Sequence, residues 1–121
     1  DLLIGGRKRF AARAVGDIAG LMSQREEIKA DNIRIIDQTA GEIKDKLFML
    51  GQWPLARNPV ADKVRGGLER ELLGLEREKR FEEVACWRDM ARLRAEFREA
   101  VREFEQARSR ESFLYGGGEE S

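Results

Sequence analysis

The sequence predicts an all-α protein in which one long N-terminal helix packs antiparallel on a helical hairpin, as a three-helix, coiled-coil-like domain. The chain has 121 residues, enough for one domain with a hydrophobic core. Charged residues make up 38% of it and only 2 residues are proline, a composition typical of long helices. Apolar residues also recur every three or four positions through most of the chain, which favours amphipathic helices.

The first predicted helix covers residues 7–50. Its apolar stripe begins at Phe10 and becomes regular in its second half. Ser23 and Thr39 each begin a sequence that fits a capping box, and residues 30–32 are a further weak point. We expect one long helix nevertheless. The regular part of the stripe consists of Ile33, Ile36, Ala40, Ile43, Leu47 and Leu50.

Glycine and proline predict a break after this helix. Residues 51–54 end it, because glycine caps helix C-termini and the residue before a proline disfavours the helical conformation. Asn58 is expected to cap the next helix, with Pro59 at its first position. Trp53, in the loop, is expected either to pack over the end of the hairpin or to lie at an interface.

The hairpin is predicted to have arms at 59–79 and 82–108. Phe81, at the turn, is expected to be buried because it is the first large apolar residue after the charged run 76–80. Cys86 is expected to be buried too, since a free cysteine usually behaves as a small hydrophobe. The apolar face of the first arm consists of Val60, Val64, Leu68, Leu72 and Leu75, and that of the second of Val84, Ala85, Trp87, Met90, Leu93, Phe97, Val101 and Phe104.

These elements predict a single helical domain over residues 7–110, formed by the helix 7–50 and the hairpin 59–110. Residues 1–6 are expected to be a flexible lead-in because they end in two glycines. Residues 111–121 contain three consecutive glycines and are expected to be a flexible tail.

The residue types present argue against catalysis and against generic binding of nucleic acid. The chain has 23 basic and 23 acidic residues, so it lacks the positive surplus that attracts phosphate backbones. It has no histidine and one cysteine, which removes the usual general base, metal ligand and nucleophile pair. The one basic cluster, Arg7 to Arg9, is expected to be a solvated helix end. We therefore expect no enzyme, no cofactor or metal, and no small-molecule substrate.

Hydropathy and the identity of the first residue bear on the cellular location of the protein. No apolar run approaches the eighteen or so residues that a membrane span requires. Because the chain begins at Asp1, it is expected to be a fragment or a processed form. A cytoplasmic location is predicted, and the alternative is the plastid stroma or another organelle interior after removal of a targeting peptide.

Residues 64–97 resemble the UVR motif, a short helical hairpin. The match is carried by Phe81, Glu82, Glu83, Ala85, Arg88, Asp89 and Leu93, whereas Val84, Cys86 and Trp87 depart from the motif. UVR motifs occur in the B and C subunits of bacterial nucleotide-excision repair, in adaptors and kinase activators tied to Clp proteases, and in plastid proteins. The resemblance implies a hairpin that binds a partner protein.

The sequence thus predicts a non-enzymatic protein–protein interaction module, an adaptor or assembly subunit that docks through an apolar helical face. Its partner would be another protein chain or a second copy of itself. One alternative is a structural coiled-coil subunit or homo-oligomer with an accidental motif resemblance, and another is an accessory component of a DNA-repair complex. The predicted partner-binding residues are Phe81, Ala85, Trp87, Arg88, Asp89, Leu93, Phe97, Val101 and Phe104.

Overall fold

The structure is a computed structural model that describes residues 2–52 and 58–115, with side chains from 9 to 52 and from 58 to 112. It contains two α-helices, α1 (Leu2–Gln52) and α2 (Pro59–Tyr115), which pack against each other. Within these ranges there is no strand, so the all-helical prediction is confirmed. The predictions for Trp53, for the side chains of Arg7 and Lys8, and for residues 116–121 lie outside the described residues.

The single long first helix is confirmed. α1 begins at Leu2, before the predicted start at Arg7, and runs without a break to Gln52. Thr39 does not cap a new helix, because its hydroxyl donates a hydrogen bond to the carbonyl oxygen of Ile35 at 2.9 Å. A bond of this kind, to the carbonyl four residues back, satisfies a threonine hydroxyl inside a helix.

The predicted start of the second helix is confirmed as well. The backbone N–H of Val60 donates to Asn58 Oδ1 at 2.8 Å, which is the contact that an N-cap residue makes. The N–H of Asp62 donates to the carbonyl oxygen of Asn58 at 3.0 Å and closes the first helical turn. Asp62 lies in that turn, where a negative charge interacts favourably with the helix dipole.

The predicted hairpin turn between residues 79 and 82 is wrong. α2 continues as α-helix through this stretch, so residues 64–97 form no hairpin among themselves. The physical reason lies in the residues: Lys79, Arg80 and Glu82 favour helix, and the stretch holds no glycine or proline that would break one. Two packed helices therefore replace the predicted arrangement of three.

The chain divides into two compact units, each of which combines part of α1 with part of α2. Unit 1 consists of Asp1–Glu26 and Trp87–Ser121, and unit 2 of Glu27–Cys86.

In unit 1 the less exposed residues follow steps of three and four along both helices, the spacing of helices that pack side by side. They include Ala11, Val15, Ile18, Met22 and Arg25 of α1, and Met90, Leu93, Phe97, Ala100, Phe104 and Ala107 of α2. The buried residues among them are Ala11, Met90, Leu93, Ala100 and Ala107. Because three of these five are alanines, the core of unit 1 is thin.

Unit 2 shows the same spacing, with more polar residues in the packed stripe. The less exposed residues include Lys29, Asn32, Ile36, Thr39 and Ile43 of α1, and Arg65, Leu68, Leu72, Leu75, Lys79, Glu82 and Cys86 of α2. Among the described residues of unit 2 only Ile43 and Cys86 are buried. The predicted burial of Cys86 is confirmed, and the core of this unit is thinner still.

Several residues assigned to apolar faces from the sequence are exposed instead, among them Phe10, Val60 and Val64. Each had been placed by successive steps of four residues. A step of four turns a helix by 400°, so such a row drifts by 40° at every step and leaves the packed face. Ala11 is buried in place of Phe10, and Arg65 is half-buried in place of Val64.

The burial pattern predicts which large side chains hold the helices together. Leu93→Ala should lower the free energy of unfolding by about 2–5 kcal/mol, because it empties a site that is only 6% exposed. Phe48→Ala should stay within about 0.5 kcal/mol, because that ring is 68% exposed. Urea unfolding followed by circular dichroism measures both. A larger loss for Phe48→Ala than for Leu93→Ala would contradict the assigned core.

Candidate functional site

Unit 2 contains an open pocket of about 330 Å³ to which both helices contribute side chains. We call it the Phe81 pocket. It is lined by Asn32, Ile35 and Ile36 from α1 and by Glu78, Phe81 and Glu82 from α2.

Helix periodicity explains why these six residues meet. Residues three and four apart lie on the same face of a helix, and each helix contributes such a set. Asn32, Ile36 and Glu82 are the half-buried residues of the pocket and belong to the packed stripe. Ile35 and Phe81 lie beside that stripe and form an apolar rim, which is 53% exposed at Ile35 and 78% exposed at Phe81.

The exposure of Phe81 corrects the prediction that this residue is buried. That prediction depended on a turn at residues 79–82, where Phe81 would have been enclosed by two arms. Because α2 passes straight through, Phe81 lies one position away from the half-buried stripe, on the surface of the helix. Truncation of a buried ring lowers the free energy of unfolding by about 3–5 kcal/mol, and Phe81→Ala is not expected to cause such a loss within one chain.

Ile35 is a pocket residue that the sequence analysis missed, and it has a counterpart on the same helix. Ile28 precedes it by seven residues, lies on the same face and is also about half exposed. Each immediately precedes a half-buried position of the stripe, Lys29 or Ile36. The apolar surface of α1 in unit 2 is thus wider than one helical neighbour requires, as in helices that face more than one other helix. This widening is visible in the sequence as isoleucines beside the stripe.

A salt bridge near the pocket also joins the two helices of unit 2. Lys79 Nζ donates a hydrogen bond to Asp37 Oδ1 at 2.9 Å. That hydrogen bond and the charge of Asp37 raise the pKa of Lys79 above its ordinary value. A group with a raised pKa stabilises the fold below its unfolded pKa, and the contribution is lost as pH rises through the folded pKa. The pair therefore contributes throughout the neutral range and is lost only in strong alkali.

The remaining predicted partner-binding residues are divided by exposure. Ala85, in unit 2, is half-buried. In unit 1, Trp87 and Arg88 are exposed, whereas Leu93 is buried and Phe97, Val101 and Phe104 are half-buried. The placement of Trp87 and Val84 on the packed apolar face is wrong, since both are exposed. Their positions are too far around the helix from the stripe that contains Met90 and Leu93.

Asp89 forms an ion pair between the helices of unit 1. It accepts a hydrogen bond from Arg25 Nε at 2.8 Å, and the Arg25 side chain is only 15% exposed. A second arginine, Arg92, lies 3.9 Å from the same carboxylate. The sequence analysis missed Arg25 as a partner of Asp89, although a charged residue in an otherwise apolar stripe was a signal. Asp89 thus has a structural role within unit 1.

No three or more His, Cys, Asp or Glu side chains in the described parts of the chain are grouped so as to hold a metal ion. Neither α1 nor α2, as far as described, has a stretch long and apolar enough to cross a membrane. Comparisons with protein-family models, with curated proteins and with solved structures found no match.

The Lys79–Asp37 geometry predicts that Asp37→Asn lowers the pKa of Lys79, because the substitution removes the negative charge and weakens the hydrogen bond. An NMR pH titration of the Lys79 side chain measures this. Asp45→Asn, on the exposed surface of the same helix, is the control and should leave the titration unchanged. An unchanged pKa in Asp37→Asn would show that the two side chains do not meet in solution.

The Arg25–Asp89 pair predicts a difference between two isosteric substitutions. Asp89→Asn should cost about 1–2 kcal/mol of unfolding free energy, because it removes a charge-assisted hydrogen bond to a largely buried guanidinium. Glu99→Gln should cost less than about 0.5 kcal/mol, because its bond with Arg102 is exposed. Denaturant unfolding of both variants tests this. Equal losses would mean that Arg25 is as well solvated as Arg102.

Proposed function

We propose that the protein is a non-enzymatic interaction module, an adaptor or assembly subunit, that binds another polypeptide chain through the Phe81 pocket. One observation carries the proposal: a phenyl ring that is 78% exposed lies beside a half-exposed isoleucine at an open pocket. Full burial of such a side chain is worth about 1.5–3 kcal/mol, so a chain that covers the pocket gains from both rim residues. Buried aromatic anchors of this kind dominate the affinity of protein interfaces.

The thin core of unit 2 supports the proposal. Only Ile43 and Cys86 are buried among its described residues, whereas Ile28, Ile35, Leu73 and Phe81 are among those left exposed. Of these, Ile35 and Phe81 line the pocket. Apolar surface that is open to water commonly marks a binding site, and a chain bound at the pocket would exclude water from these two side chains.

The UVR resemblance points to the same location, although residues 64–97 form one continuous helix and not the hairpin that the motif implies. Phe81 and Glu82 are the first two residues of the matched motif, and both line the pocket. What the resemblance implies about partner binding thus falls on a surface that is open in unit 2. The cytoplasmic location expected from the sequence remains part of this proposal.

We further propose that the two helices pair antiparallel within unit 2. Lys79 bonds to Asp37, whereas Glu82, further along α2, lines the same pocket as Asn32, which comes earlier in α1. Residue numbers thus rise along α2, from Lys79 to Glu82, while they fall along the facing part of α1, from Asp37 to Asn32. This opposite order supports antiparallel pairing. In that arrangement each wall of the pocket is one turn of helix, and a docked helix could lie along both.

Photo-crosslinking in the native cell tests the proposed function. Phe81 is replaced by p-benzoylphenylalanine, which keeps the aromatic ring and reacts with C–H bonds that it touches. The matched control places the same residue at Phe48, which is 68% exposed but lies outside the pocket. We expect a covalent adduct with a polypeptide from position 81 and little from position 48. No adduct from position 81, or equal adducts from both, would contradict the proposal.

A further inference from the structure

We propose that the Phe81 pocket binds an arginine side chain of the partner polypeptide. The guanidinium group would bond to the Glu78 carboxylate and stack on the Phe81 ring, with its apolar stem against Ile35 and Ile36. This inference rests on the proposed function, because it names the chemistry by which the same pocket recognises its partner.

The first argument is the charge of the pocket lining. Two of its six residues are glutamates, Glu78 and Glu82, and the other four are uncharged. Because the two glutamates are four residues apart, their carboxylates lie one turn apart on the same face of α2. Like charges at this spacing destabilise a helix slightly, and a cation bound beside them offsets the repulsion. The lining is thus complementary to a positively charged group.

The second argument is that the cations next to the pocket already have partners. Lys79 follows Glu78 in the sequence, but its ammonium group bonds to Asp37 at 2.9 Å. Arg34 precedes Ile35, and its guanidinium group lies 4.0 Å from the carboxylate of Asp31. Glu78 is exposed and forms no ion pair with a residue that the structure describes. Its carboxylate is therefore available to a cation from a further chain.

The third argument is the ring, which favours arginine over lysine. Phe81 comes three residues after Glu78, so the ring and the carboxylate are neighbours on α2, and the ring is 78% exposed. A cation above the face of an aromatic ring is attracted by the electrons of the ring. The planar guanidinium group stacks on a ring and can make two parallel hydrogen bonds to one carboxylate, whereas an ammonium group cannot do both.

The size and the apolar side of the pocket fit the rest of an arginine side chain. A volume of about 330 Å³ lies at the lower end of the range of binding pockets, which suits a single side chain. Long cationic side chains bury their apolar stems while the charged group remains at a polar edge. Ile35 and Ile36 supply the apolar surface for the stem.

An NMR titration of the purified full chain with two matched peptides tests the inference. The probes are acetyl-Leu-Arg-Leu-amide and the same peptide with citrulline, which has the shape of arginine without its charge. We expect the arginine peptide to shift the ring signals of Phe81 and the methyl signals of Ile35. It should bind about tenfold more tightly than the citrulline peptide, the effect of one charge-assisted hydrogen bond.

Substitutions identify the groups that recognise arginine. Glu78→Gln keeps the shape of the side chain and should make the two peptides bind equally. Phe81→Leu keeps an apolar side chain without the ring and should weaken binding of the arginine peptide by about threefold. Glu76→Gln, at an exposed glutamate of the same helix outside the pocket, is the control and should change neither affinity.

Two results would overturn the inference. One is a wild-type chain that does not prefer the arginine peptide, and the other is a preference that survives in Glu78→Gln. Photo-crosslinking at position 81 separates this failure from failure of the proposed function. An adduct with a segment that has no arginine within one helical turn keeps the proposed function and contradicts the arginine anchor. An adduct beside an arginine, in a yield that Glu78→Gln lowers, supports both.

Discussion

Two α-helices in contact can bury only one stripe of side chains each, and the residues in that stripe set the properties of this protein. In both units the stripe follows alternating steps of three and four residues, so the helices stay in contact along several turns. The stripe is small in unit 1, where Ala11, Ala100 and Ala107 are buried. In unit 2 it is partly polar, with Lys29, Asn32 and Lys79. The helices thus bury little apolar volume, and large apolar side chains remain exposed.

The polar residues in the stripe have a physical use. A charged pair between helices contributes modestly to stability. A shift in helix register would nevertheless separate the two charges and leave each one unpaired. Arg25 with Asp89 joins the helices in unit 1, and Asp37 with Lys79 does so in unit 2. Each pair favours the register in which its two charges meet. The apolar surface beside the stripe, at Ile35 and Phe81, is exposed, and the proposed function assigns it to a further chain.

The sequence predicts the parts of this fold that depend on local chemistry. The all-helical class follows from composition and periodicity, and the start of α2 follows from Asn58 and Pro59, whose effects act within one turn. The site depends on helix phase, where an error of one residue moves a side chain by 100°. Phe81 illustrates this, since a continuous helix turns a predicted core residue into an exposed one. The Arg25–Asp89 pair joins residues that are 64 positions apart in the sequence. The periodicity of either helix alone cannot predict which residue of the other helix faces it.

We propose that a further chain completes the thin core of unit 2, and a second copy of this protein is the partner that a purified sample can test. If copies associate and this association contributes to folding, the unfolding temperature must depend on protein concentration, because mass action favours the folded assembly. Thermal unfolding followed by circular dichroism over about a hundredfold range of concentration measures this directly. We predict a midpoint that rises by several degrees as concentration increases. A midpoint that is independent of concentration would contradict the claim, because the single chain would then be stable without a partner.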